Sequence, residues 1–150
     1  MGSDYYAYTM IGVNVSKYVT YESFKKDQHQ KLYGEWLYDE FGKPVVRKVT
    51  SYNWSFTNSL GVTIYEEEAY DFPTNEFTRF LKEKGLKMVC YDTIRDDSIL
   101  GIVIDEWGGT KDKGVYLEEL PAMFDRAGEL LRNIGITEEV TILTAFWHSF

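Results

Sequence analysis

Asp105-Glu106 follow directly on the apolar run 99–104 (ILGIVI), and Asp92, Asp96 and Asp97 stand just before it. Carboxylates delivered by strand ends can share a Mg²⁺ ion or divide general acid and general base roles between them. Gly108-Gly109 then open the loop GGTKDKG, whose backbone N–H groups could cradle an anion ahead of a helix. A nucleotide- or metal-binding protein, or a small enzyme, would thus draw on Asp92, Asp105, Glu106, Gly108 and Gly109. Against this, the loop matches neither GxxxxGK followed by Ser or Thr nor GxGxxG, and Asp112, Glu118 and Glu119 would repel a phosphate. A solvated sheet edge accounts for the same carboxylates equally well.

Other catalytic chemistry finds few residues to work with. His29 lies in a polar stretch and His148 near the end of the sequence, and neither has a Cys or His at ligand spacing, so no zinc site is expected. Cys90, the single cysteine, sits in an apolar segment with no histidine nearby in sequence to activate it, and reads as a small core residue. GxSxG, HExxH and CxxC are absent from the sequence. No catalytic residue and no cofactor are assigned.

Aromatics beside acids are the more distinctive pattern. The 150 residues include twelve Tyr and four Trp, and the net charge is −8. Trp36 and Tyr38 stand near Glu35, Asp39 and Glu40; Tyr65 and Tyr70 flank Glu66, Glu67 and Glu68; Trp107 follows Asp105-Glu106. Aromatic anchors rimmed by carboxylates suit a basic protein partner, or imitate the charge of nucleic acid toward a protein that handles it. Trp36, Tyr38, Tyr65, Glu66, Glu67, Glu68, Tyr70 and Trp107 are therefore the candidate binding residues, although core packing explains many of these aromatics too. The negative charge opposes direct binding to nucleic acid or to an anionic membrane.

The elements that would position these residues can be read in part. Residues 99–104 are too short for a globular helix and rich in β-branched side chains, which predicts a strand buried on both faces; 88–91 supply an antiparallel neighbour across a polar turn at 95–98. Residues 5–15 predict a strand of the same sheet. From 16 to 42 the apolar residues Tyr18, Tyr21, Phe24, Leu32, Trp36, Leu37 and Phe41 recur at loosely helical spacing, which predicts one or two short helices closed by Gly42-Lys43-Pro44. A hairpin follows over 45–56 and 62–65, turning at Thr57-Asn58-Ser59-Leu60-Gly61. Helix-start chemistry at 71–74, with Phe77, Phe80 and Leu81 at i, i+3, i+4 and Lys84-Gly85 beyond, predicts one helix. Leu117, Leu120, Phe124, Ala127, Leu131 and Ile134 predict another, with Pro121 in its first turn and Gly135 as its stop.

A last strand over 140–147 offers an apolar edge through which two copies of the chain could pair, as in an assembly subunit. The whole reads as one α+β domain over 1–150, with a mixed or mainly antiparallel sheet of about five or six strands and two or three helices. Met1-Gly2-Ser3 read as a cloning remnant. With one cysteine, no run of roughly 20 apolar residues and no basic-then-apolar leader, a cytoplasmic protein is expected.

The opening stretch, Tyr5-Tyr6-Ala7-Tyr8 and Ile11-Gly12-Val13 through His29 to Phe41-Gly42-Lys43-Pro44, resembles the start of small accessory proteins of tailed bacteriophages. In those relatives a zinc-knuckle-like segment ends in Cys-Gly-Lys-Pro; Phe41 stands at the cysteine position here, so metal binding does not carry over. The resemblance covers about the first third of the chain. It implies a phage-encoded, non-enzymatic protein of inhibitor or anti-defence type, acting on a host protein in the bacterial cytoplasm.

Overall fold

The computed structural model describes residues 4–90, 98–107 and 117–149. In chain order it contains β1 (Asp4–Asn14), β2 (Val19–His29), β3 (Lys31–Leu32), β4 (Glu35–Trp36), β5 (Val46–Thr57), β6 (Thr63–Ala69), α1 (Asn75–Glu83), β7 (Lys87–Cys90), β8 (Ser98–Trp107), α2 (Leu120–Asn133) and β9 (Thr141–Ser149). Short 3₁₀ turns at Ser16–Tyr18 and Leu117–Glu119 precede β2 and α2. Every pairing between these strands is antiparallel, and the α+β class expected from sequence holds.

The apolar run 99–104 takes the position its composition demands. It lies in β8, inside a four-stranded sheet of order β7-β8-β1-β9, with Ile11 opposite Ile102 and Val13 opposite Leu100. Gly12 and Gly101 face each other where the two backbones crowd. A Cβ on Gly12 would stand 2.1 Å from the Leu100 carbonyl oxygen, and one on Gly101 would stand 2.0 Å from that of Ile11, so only glycine fits either position. The α2 face of this sheet buries Ile11, Ile104 and Ala127 together.

The helices end as their sequences predict. Thr74 caps α1 by accepting the Phe77 N–H at 3.2 Å, and Gly85 follows the helix at φ 76°. In α2, Pro121 occupies the first turn, where its missing N–H has no partner to lose, and Gly135 at φ 86° stops the helix.

The helices predicted between residues 16 and 42 do not form. β2 instead pairs with β5 along its whole length, from Val19 opposite Phe56 to His29 opposite Val46. The helical spacing was misleading because Tyr21 and Phe24, three residues apart, point to opposite faces of a strand. The remainder of the segment folds into β3 and β4. The strand count therefore rises to nine among the described residues, in three sheets instead of one, because β2–β5–β6 and β3–β4 stand apart from the β8 sheet.

β6 accompanies β5 only from Thr57 back to Tyr52. Beyond that point β2 and β5 continue as a two-stranded ribbon, ending in the β3–β4 hairpin. The inner face of the three-stranded part packs Trp54 and Phe56 against Phe72, Phe77 and Leu81, and this cluster runs on to Val13, Leu100 and Leu131. One continuous core thus anchors the root of the ribbon.

Candidate interaction surface

The ribbon tip is shaped by two fused turns. Tyr33 and Gly34 both take positive φ, 53° and 81°, which is the requirement of a type I′ hairpin turn and matches the twist of β3 and β4. In the second turn one Asp39 carboxylate oxygen accepts the N–H of Phe41 at 2.8 Å and of Lys43 at 2.9 Å. The two turns are stitched together and to the ribbon by backbone bonds: Leu37 N–H donates to Gln30, Val45 N–H to Leu37, and Gln30 N–H to Val45.

His29 organises the side chains. Its ring stacks on Trp36 at 4.5 Å between centroids and 18° between planes, meets Tyr38 edge-on at 5.4 Å, and places Nε2 3.0 Å from the Leu37 carbonyl, to which an Nε2–H donates. Lys31 Nζ lies 4.1 Å above the Trp36 ring. Around this ordered stack, Tyr33 is 96% exposed and Phe41 79%, with Leu32, Trp36, Tyr38 and Val46 each at least half exposed.

The residues singled out in sequence fall into separate places. Trp36 and Tyr38 are on the tip. Glu66 and Glu68 share the outer face of the three-stranded sheet with Glu22, Asn53, Thr20 and Ser55, forming a shallow trough lined by carboxylates. Lys26 pairs with Glu68, and this bond, more than any other contact, holds the Glu68 carboxyl below its ordinary range. Tyr70 follows β6 and is exposed beside Tyr52, where β5 and β2 run on without β6. Trp107 pairs its backbone with Ala7 at the end of β8, and its side chain lies outside the described residues.

Tyr65 and Glu67 face the other way, toward the core. The Tyr65 ring touches Phe77 at 4.8 Å and Phe80 at 5.2 Å, and its hydroxyl donates to Glu67 at 3.0 Å. Thr74 donates to the same Glu67 oxygen, so this carboxylate ties β6 to the start of α1. Burial first, then the bond to Glu67, raises the Tyr65 phenol above its ordinary value near 10. A raised pKa means the folded state holds the proton more tightly. The stabilisation is therefore complete below about pH 10 and is lost as pH rises through the folded-state value. We expect wild type to lose stability more steeply above pH 10 than Tyr65→Phe, as read by urea midpoints across that range; parallel curves would dismiss the effect.

Of the alternative ligand site, Asp105 is exposed on β8 opposite Thr9, and Glu106 pairs its backbone with Tyr8. The Glu106 side chain, Asp92, Gly108 and Gly109, like the turn at 95–97, lie outside the described residues. Among the described residues no three His, Cys, Asp or Glu side chains gather as a metal cage, and no helix is long and apolar enough to cross a membrane. Cys90 is half-buried and accepts a bond from the Ser98 hydroxyl at 3.2 Å.

The polar stretch around His29 carries no sign of the stack it makes, and Leu32, Phe41 and Val46 are surface anchors that the pattern of aromatics beside acids does not single out. Their exposure follows from the two-turn tip, for which Asp39 through Pro44 carried the available signal. Fold and surface together define an α+β protein bearing a β-ribbon with an aromatic tip. Comparison of the chain with protein-family models, with curated proteins and with solved structures finds no match.

Proposed function

We propose that this chain is a non-enzymatic binding protein whose ribbon tip docks on a partner protein. The supporting observation is the concentration of exposed Leu32, Tyr33, Trp36, Tyr38, Phe41 and Val46 on one turn-bound knob. Exposed apolar side chains gathered in one patch mark contact sites, and Trp and Tyr are the residue types that most often carry binding energy. The His29 stack and the Asp39 turn hold the backbone in place before contact, which lowers the ordering cost of association. Exposed Glu35 and Glu40 share the rim of the knob with Lys31 and Lys43, which suits a partner presenting an apolar pocket bordered by charges of both signs.

On the resemblance of the opening stretch to phage accessory proteins, we propose that this partner is a bacterial host protein and that docking inhibits it or blocks a defence function. The test is affinity capture from bacterial lysate with wild type, with Tyr33→Ser/Phe41→Ser, and with Lys82→Ala on α1 as a control, followed by titration of the captured protein. The tip variant is expected to bind at least about 30-fold more weakly while the control is unchanged. Equal capture by all three, or no specific capture by any, refutes the reading.

A further inference from the structure

The outer face of the β2–β5–β6 sheet changes sign along its length. At one end it carries Glu22, Glu66 and Glu68; at the other the exposed side chains are Lys26, Gln28 and Arg47, with the half-buried Phe24 and Val49 between. The strand segments themselves show the same polarity, since residues 25–28 and 46–49 hold four Lys or Arg against one Asp. β2, β5 and β6 pack chiefly on one another, and Glu22, Lys26, Gln28, Arg47, Asn53, Glu66 and Glu68 on this face are exposed. A surface acidic at one end and basic at the other is complementary to itself once turned end for end.

We infer that this face pairs with the same face of a second copy of the chain. A two-fold axis lying between the sheets and across the strands near Phe24 and Ser51 sets Glu22 of each copy toward Lys26 of the other, and Glu66 toward Arg47. Each pair occurs twice, as an isologous interface requires. Phe24 meets its own image at the axis and supplies the apolar centre, while Val49 of each copy falls opposite Asn53 of the other. Lys26 already has Glu68 as a partner within its own chain, so Glu66–Arg47 is the pair that association adds outright. Ten residues of strand at about 3.4 Å and two to three strands at about 4.8 Å make a patch of about 34 by 14 Å, small against a standard interface, so the dimer is a weak one. This surface is distinct from the ribbon tip, and the pairing stands whether or not the tip finds its partner.

Sedimentation equilibrium from about 1 to about 300 µM decides it, with a dimer Kd on the order of 10 to 100 µM expected at low salt. Because the pairs are exposed, about 1 M salt is expected to weaken association at least about tenfold. Glu66→Arg and Arg47→Glu should each weaken it by about tenfold or more, and the double variant should recover to within about threefold of wild type. Glu22→Lys offers a second single reversal should either of these fail to fold by circular dichroism. A monomer throughout the range at low salt overturns the proposal. So does a dimer indifferent to the reversals, which would point to pairing elsewhere, such as the β9 edge, and so does a double variant as weak as the singles.

Discussion

Replacing Phe77 by alanine is expected to destabilise the fold by about 4 kcal/mol, the range for truncating a buried aromatic. Phe77 is fully buried, and its ring meets Phe72 at 4.6 Å, Tyr65 at 4.8 Å and Phe56 at 5.8 Å. It therefore joins α1 to the inner face of the sheet that roots the ribbon. Those neighbours are themselves large rings held by β5, β6 and the Phe72-Pro73 segment, so they cannot close over the void, and the cavity cost adds to the lost transfer energy. Phe77→Leu, which keeps most of the volume, is expected to cost only about 1 to 1.5 kcal/mol.

Urea unfolding checks both variants; the midpoint should fall while the slope stays constant, and the melting temperature should drop by roughly 8 to 16 °C for alanine. The tip lies at the far end of the ribbon and contributes nothing to this core. Partner binding by Phe77→Ala, measured well below its melting temperature, should match wild type. A loss of binding in the folded variant would show that the knob is not an independent surface.

What the sequence made legible follows from where each element draws its stability. β8, β1 and β9 are apolar because they pair within the sheet that carries the buried clusters, and α1 and α2 are bounded by caps and glycines that act locally; such signals are written in adjacent residues. β2 is different. Its outer half is exposed on both faces, and it is held by backbone pairing with β5, a partner some twenty to forty residues away, so no alternation of apolar residues marks it. β3 and β4 are two residues each and rest on turn chemistry alone.

The candidate site divides in the same way. The acids around Trp36 and Tyr38 correctly suggested exposure, because charged neighbours cannot follow a ring into a core without partners. The Glu66–Glu67–Glu68 triplet was read as one patch although strand period alone separates it: Glu66 and Glu68 share the outer face, while Glu67 turns inward to Tyr65 and Thr74. Extending the strand read over 62–65 through residue 69 would have made that division from sequence. The stack of His29 on Trp36 had no local signal, since it depends on the hairpin folding back on the ribbon.

Asn58→Ala is expected to cost about 2 to 3 kcal/mol, a large loss for the removal of one small polar side chain. Asn58 is buried in the turn between β5 and β6. Its Oδ1 accepts the N–H of Leu60 and of Val62, each at 3.0 Å, and its Nδ2 donates to the Ile134 carbonyl at 3.0 Å. Alanine would strand the Ile134 carbonyl, whose bond to Asn58 is buried, and would leave the N–H groups of Leu60 and Val62 without the acceptor that closes the turn, at a half-buried position. The penalty for stranding such groups exceeds the net value of the bonds themselves.

The bond to Ile134 also joins the turn to the end of α2, where Ser59 N–H donates to Gly135 and the Ser59 hydroxyl accepts the Thr137 N–H. Gly135 packs so closely that a Cβ there would stand 2.1 Å from Asn58 Nδ2, and its φ of 86° already disfavours a side chain. Gly135→Ala should therefore destabilise the same junction, and Gly135→Ala with Asn58→Ala should cost less than the two single losses added together, because the clash disappears with the amide. Asn58→Asp separates the two halves of the role: it keeps both acceptor bonds but turns an oxygen toward the Ile134 carbonyl. It should fall between wild type and alanine at low pH, where the carboxylic acid can donate, and drop further as the carboxylate forms. Urea unfolding of the four variants at pH 4 and pH 7 checks the order, and a strictly additive double variant would show that the two residues do not meet.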